Sequence, residues 1–268
     1  MLDKFKFPVT VKPVYIPRNG DYQGIIDPEN PDTHINNKSK AIVRADTLEW
    51  ISTVTENYEV VTNAEVINNT VNALEALDFD FKINRSESFL TNKRMRLVLK
   101  IPDLAFNEGT SEVDPTIDIR NSYNYSEGVR ILMGAIREVC NNGMLIMKTV
   151  KKFYHKHTKG IRVEKIQERI IEMRESLPEV ERRIQELQSR QPNKKLMDIL
   201  RDRMSKKIIR KAGLDEEKEK NEPVFPSVDA EKLNQYRLYN LLTYIVSHQI
   251  AKQSRTRYQQ RLGKIFEL

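Results

Sequence analysis

One stripe of apolar residues in an otherwise charged stretch constrains this chain most. Ile166, Ile170, Met173, Leu177, Val180, Ile184 and Leu187 are spaced 4, 3, 4, 3, 4 and 3 apart, the seam of a heptad repeat. A helix with such a stripe is unstable in water until another surface covers it. The seam must pack either on the neighbouring 193–212 segment or on a second protomer. Pro178 interrupts it, and Ser176-Leu177-Pro178-Glu179 reads as a capping box with proline in the first turn. The spacing therefore predicts two helices meeting near 176. A third is predicted from about 193 to 212, ended by Gly213.

The period changes upstream. Phe79, Phe81 and Ile83 alternate, as do Met95, Leu97, Leu99 and Ile101, which predicts a hairpin ended by Pro102. Ile117 and Ile119 alternate with Asp118 and Arg120 and predict a third strand. Ala41–Arg44, Trp50–Val54 and Tyr58–Thr62 are β-rich runs. Asn63 can cap a helix at about 64–77. Val129, Leu132, Met133, Ile136, Val139 and Cys140 fall at 3–4 spacing and predict a helix over 126–142, with Gly143 as its left-handed cap. On its opposite flank lie Arg130, Gly134 and Arg137. The expected fold class is α+β, a small antiparallel sheet packed by helices, followed by a charged helical arm and a long basic C-terminal helix. The expected divisions are an extended N-terminal arm at 1–40, an α+β core at 41–163, the charged arm at 164–214, a linker at 215–228 and the C-terminal helix at 229–268.

At 268 residues the chain suits one large domain or two small ones. No stretch approaches the ~18 uncharged apolar residues of a membrane helix, and the start, MLDKFKFPVTVKP, lacks the apolar run of a signal peptide. The single cysteine, Cys140, rules out an internal disulfide and fits a reducing compartment. The nine glycines form no phosphate-cradling pattern of either common type.

Charge is unevenly spread within the net +7. Residues 139–163 hold six basic side chains and no acid, residues 232–268 hold seven and one, and residues 164–231 hold sixteen of each. Acid-poor basic runs concentrate positive potential, to which a phosphate backbone responds. The run at 147–162 also interleaves its cations with Phe153, Tyr154, His155 and His157, the composition of a single-strand groove in which bases stack on rings. A half-buried strand with core aromatics explains the same residues equally well.

Other chemistries find less support. His34, His155, His157, His248 and Cys140 offer no second pair for a zinc site. No nucleophile motif occurs, and Cys140 on an apolar face packs as a small hydrophobe. Asp103, Asp114 and Asp118 flank strand ends and could serve a metal-dependent nuclease, although the lysine that usually follows such acids is absent.

Four motifs carry a resemblance. They are Arg44, Asp46 and Thr47; then Tyr58, Val61 and Asn63; then Asn121, Ser122, Asn124 and Ser126, followed by Arg137, Val139, Cys140, Asn142 and Gly143. Over about 41–162 and 232–266 the chain resembles the uncharacterised phage/plasmid-like domain family. That resemblance implies a mobile-element or viral origin and no established catalytic activity. The strand–strand–strand–helix core is more remotely similar to the single-strand annealing proteins of phages, a likeness of fold alone. The expectation is a non-enzymatic, cofactor-free, metal-free protein of the cytoplasm of an infected or plasmid-bearing host cell. It would bind single-stranded DNA in recombination or replication, anneal strands, and form a homo-oligomer with no membrane attachment. Arg130, Arg137, Lys148, Lys151, Lys152, Lys156, Arg257, Arg261 and Lys264 would meet phosphates, and Tyr154 would stack on a base. A non-catalytic oligomeric or virion-assembly protein and a nuclease stand as the alternatives.

Overall fold

The computed structural model describes residues 2–17, 33–107, 112–137, 142–144, 153–155, 163–214 and 233–268. They form two antiparallel sheets and six helices, an α+β fold. The first sheet is a meander of β1 (Val9–Pro17), β2 (Thr33–Arg44) and β3 (Trp50–Thr55). Segments of the stretch read as an extended arm thus pair as strands, Val9 opposite Arg44 and Lys12 opposite Ala41. Phe7, Ile42, Ile51, Val54, Tyr58 and Tyr123 form a small core beneath this sheet.

Helix α1 (Asn63–Glu75) follows. Its cap is Thr62 rather than Asn63: the Thr62 hydroxyl accepts the Glu65 amide at 3.0 Å. Val66, Ile67, Ala73 and Leu74 then face the main core. The residues before the cap, Tyr58–Val61, run without strand pairing, so the third β-rich run is a connection.

The second sheet has eight strands. β4 (Lys82–Ile83) and β5 (Phe89–Leu90) border β6 (Arg94–Lys100); β7 (Phe106–Asn107) and β6 both pair with β8 (Glu112–Ser122). The predicted hairpin is present, with its first strand shortened to two residues. Beyond β8 lies β9 (Val129–Arg137), and β10 (Asn142–Met144) and β11 (Phe153–His155) both pair with β9.

β9 corrects the predicted 126–142 helix. It runs in register with β8 from Val113↔Arg137 to Arg120↔Arg130. Residues 129 and 131–135 are all buried. A strand covered on both faces reads as a continuous apolar run, and such a run satisfies helical spacing as easily as strand alternation.

The register sorts the sheet into two faces. Met95, Leu97 and Leu99 lie opposite Asn121, Ile119 and Ile117, and the last two lie opposite Ile131 and Met133. These apolar side chains form one core with α1, α2 (Val163–Ser189) and α5 (Gln235–Gln249). Every residue of the heptad seam is in that core, none more than 8% exposed. The arm predicted at 164–214 therefore helps to build the common core. α2 also runs unbroken through Pro178. An interior proline costs about 3 kcal/mol, and burial of Leu177, Val180, Ile184 and Leu187 beside it exceeds that at ~1.5–3 kcal/mol per side chain.

α3 (Lys194–Arg203), capped by Asn193, and α4 (Lys206–Lys211) follow. Gly213 closes them at φ +67°, the left-handed conformation expected of it. The long C-terminal helix resolves into two. α5 ends where Ile250 turns extended, and α6 (Lys252–Phe266) restarts after Ala251. Arg255 fixes the break by donating from Nε to the Ile250 carbonyl at 2.9 Å.

Candidate nucleic-acid interface

The second face of the large sheet is charged. Arg94, Arg96 and Lys100 on β6 lie opposite Ser122, Arg120 and Thr116, with Asp118 opposite Val98. Asp118 sits between two guanidinium groups: Arg96 reaches it at 2.9–3.0 Å and Arg120 at 2.8–3.0 Å. Arg96 also pairs with Glu87 at 2.9 Å, and Glu87 takes Arg255 from α6 at 2.8 Å. Burial pushes the Asp118 carboxyl up, but the charges and hydrogen bonds of Arg96 and Arg120 outweigh it and hold the group below its ordinary range. Burial likewise opposes the charge on Arg96, while Asp118 and Glu87 raise its pKa overall.

The candidate nuclease acids are thus occupied separately. Asp118 holds its two arginines, Asp114 pairs with Lys100 at 2.6 Å, and Asp103 accepts the Asp80 amide at 2.6 Å. Among the described residues no group of three His, Cys, Asp or Glu side chains could hold a metal ion.

The motif residues build a corner between the sheets. Asn121, wholly buried, donates from Nδ2 to the Val61 carbonyl and to Asn63 Oδ1, both at 2.9 Å. Ser122 accepts the Glu127 amide at 3.0 Å and donates to the Glu127 carbonyl at 2.5 Å. Tyr58 donates to the Ser122 carbonyl at 3.1 Å, and the Asn63 amide donates to the Tyr123 hydroxyl at 2.8 Å. Asn124 Oδ1 accepts the Ser126 amide, which tightens the β8–β9 turn. Arg44 grips Asp46 through two hydrogen bonds, at 2.6 and 2.9 Å. These are positioning interactions: they join α1 and the connection before it to β8, and they brace the β2–β3 turn.

The described cations proposed for phosphate contact divide between β9 and α6. Arg130 is half-buried on β9, opposite Tyr154 of β11 in register. Arg137 ends β9 and is paired with Asn142. Lys148, Lys151, Lys152 and Lys156 lie outside the described residues, as does Cys140. Arg257, Arg261 and Lys264 lie on α6, the first and last exposed.

α6 brings Arg261 and Lys264 to a surface that the uneven spread of charge did not reveal. Residues 194–211 hold eight lysines and arginines against Asp198 and Asp202, a net +6. Arg261 crosses from α6 and donates to the Arg203 carbonyl at 2.8 Å. Asp202, Arg203, Arg261 and Lys264 line a recess of about 390 Å³. Lys206 and Lys207 begin α4 just beyond Arg203, exposed. Among the described residues, Arg203, Lys206, Lys207, Arg257 and Lys264 make no ion pair. The signal was present as Lys206-Lys207 and Arg210-Lys211, but the acids of α2 and of residues 215–231 cancel them in a wide window.

No helix among the described residues is long and apolar enough to cross a membrane. No curated protein and no solved structure matches the chain. A domain of unknown function, DUF932, matches it over residues 50–264, from the first residue of β3 into the last turn of α6, so the eight-stranded sheet and the basic recess fall within the match while β1 and β2 precede it. The motif corner, the eight-stranded sheet and the terminal helix pair are accordingly features of a chain that belongs to the DUF932 family.

Proposed function

We propose that the protein binds single-stranded DNA through the basic surface of α3, α4 and α6, and that it anneals strands in the recombination or replication of a phage or plasmid. The observation that carries this reading is the recess where Arg261 spans to Arg203, with Lys264 beside it and Lys206 and Lys207 just beyond. Among the described residues these cations answer no carboxylate, which leaves their charge for phosphates. Arg130 and Tyr154, opposite each other on β9 and β11, form a second element of the reading, together with the basic run at 147–162. The phage or plasmid setting rests on the motif resemblance alone. The alternative of an oligomeric interaction or virion-assembly protein takes the heptad seam as its working surface, and that seam lies in the core.

Anisotropy of a labelled oligothymidylate, titrated at several salt concentrations, tests the proposal. With about five phosphates neutralised the log–log slope is near −3.5, at ~0.7 per phosphate. Lys206→Glu with Lys207→Glu flattens the slope by about 1.4, because two phosphates then keep their counterions. Absence of binding at about 50 mM salt, the low end of the usual range, refutes the reading. Faster pairing of complementary oligonucleotides in the presence of the protein tests annealing.

A further inference from the structure

Among the described residues, the β2–β3 hairpin displays two large apolar side chains that stay well exposed. Leu48 is 67% exposed and the chain's single tryptophan, Trp50, is 42% exposed. Both sit on a tip fixed by polar bonds. Arg44 holds Asp46 through two hydrogen bonds and reaches Asn92 Oδ1 at 3.3 Å; Asn92 in turn donates to Glu49 at 2.8 Å. The Glu49 amide approaches Thr47 Oγ1 at 3.4 Å, and the Leu48 amide donates to the Arg44 carbonyl at 2.9 Å. Leu48 is held at φ 59°, the left-handed region that favours glycine. A rigid, locally unfavourable turn that points leucine and tryptophan into water is poorly explained by folding alone, because neither side chain gains full burial.

The surroundings of the indole indicate what would cover it. Trp50 lies opposite Val43 in the sheet, and its Nε1–H points to Thr53 Oγ1 at 3.4 Å. The exposed Lys93 ammonium stands 5.3 Å from the ring centroid. The acids of the tip are already engaged, Asp46 by Arg44 and Glu49 by Asn92. Among the described residues that leaves Lys93 as the charge without an ion pair beside a part-exposed indole, which pairs a phosphate contact with a stacking surface.

We infer that Trp50 stacks on an unpaired base of a bound single strand, with Lys93 meeting an adjoining phosphate. This deepens the single-strand reading and rests on it. It also places a binding element on β3, where none of the cations named above lies.

The single tryptophan makes the test direct. Wild-type protein is titrated with labelled oligothymidylate while anisotropy and tryptophan emission are followed together. Emission quenches in step with the anisotropy. Trp50→Ala weakens binding about 5- to 150-fold, the range for one stacked base, and Trp50→Phe recovers most of the loss. Thermal melting of each variant confirms folding, and quenching in the wild type needs no variant. If anisotropy reports binding while emission stays constant and Trp50→Ala binds as tightly as wild type, the stacking role is overturned and the single-strand reading stands. If neither signal changes, both fall. Emission that shifts on dilution of the protein alone would place a second copy on the tip and overturn the stacking role.

Discussion

Replacing Asp118 by Asn probes the charged face of the sheet without changing its shape. The carboxylate accepts from both guanidinium groups at 2.8–3.0 Å, and its side chain is 3% exposed, against 6% for Arg96 and 9% for Arg120. The amide leaves two buried cations with Glu87, beside Arg96, as the remaining acid of the network. Breaking a buried pair of this kind costs about 3–5 kcal/mol, a large part of a typical total of about 5–15 kcal/mol. Urea denaturation at neutral pH measures the loss as a lower midpoint. The pH dependence separates charge from shape. The folded-state pKa of Asp118 is depressed, so its stabilisation is complete above the unfolded value near ~3.9 and is lost as pH falls through the folded value. The gap between wild type and Asp118→Asn therefore narrows in acid, because only the wild type loses its charge there. A cost below about 0.5 kcal/mol, the range of an ordinary surface substitution, would refute the network's role. A gap that persists unchanged in acid would assign the loss to packing.

Two further substitutions test the helical layer. Ile184→Ala, in a seam position 1% exposed, should cost about 2–5 kcal/mol in thermal or urea unfolding; light scattering should record unchanged mass, since the seam packs within the chain, and a drop in mass would overturn that. Gly213→Ala meets no atom within 4 Å but must hold φ +67°, so a loss of about 1–2 kcal/mol is expected from backbone strain alone, and an unchanged melting temperature would refute it.

The sequence revealed those features whose signal is local and one-sided. Strand β6 alternates cleanly, Gly213 stands where a helix must stop, and the seam at 166–187 announces a buried stripe. Each depends on neighbours within a few residues. β9 failed for the opposite reason. Val129 to Ala135 meet layers on both sides, so apolar residues fill nearly every position and two periods fit at once. Pro178 misled because a local breaking rule worth about 3 kcal/mol met tertiary burial on both flanks. The Ile250–Ala251 break left no local mark either, since the Arg255 hydrogen bond that fixes it belongs to the next helix.

The interface was harder to read than the fold, for a reason that lies in what phosphate recognition asks for. The motif residues are specific because each must fit one partner: Asn121 must reach the Val61 carbonyl and Asn63 together, and Ser122 must both accept from and donate to Glu127. Such requirements fix residue type and spacing, which is what makes a motif visible. They also explain why the motif discloses no chemistry, since its polar groups are spent on joining α1 to β8 and on holding turns. A phosphate asks only for a cation within reach. Lys206, Arg203 and Arg261 can meet that demand from three helices at any sequence separation, provided the helices pack as they do. The surface information therefore lies in the docking of α6 against α3 and not in any string of residues. Reversing the charge of Lys206 and Lys207 tests function at these positions because neither side chain takes part in the motif corner.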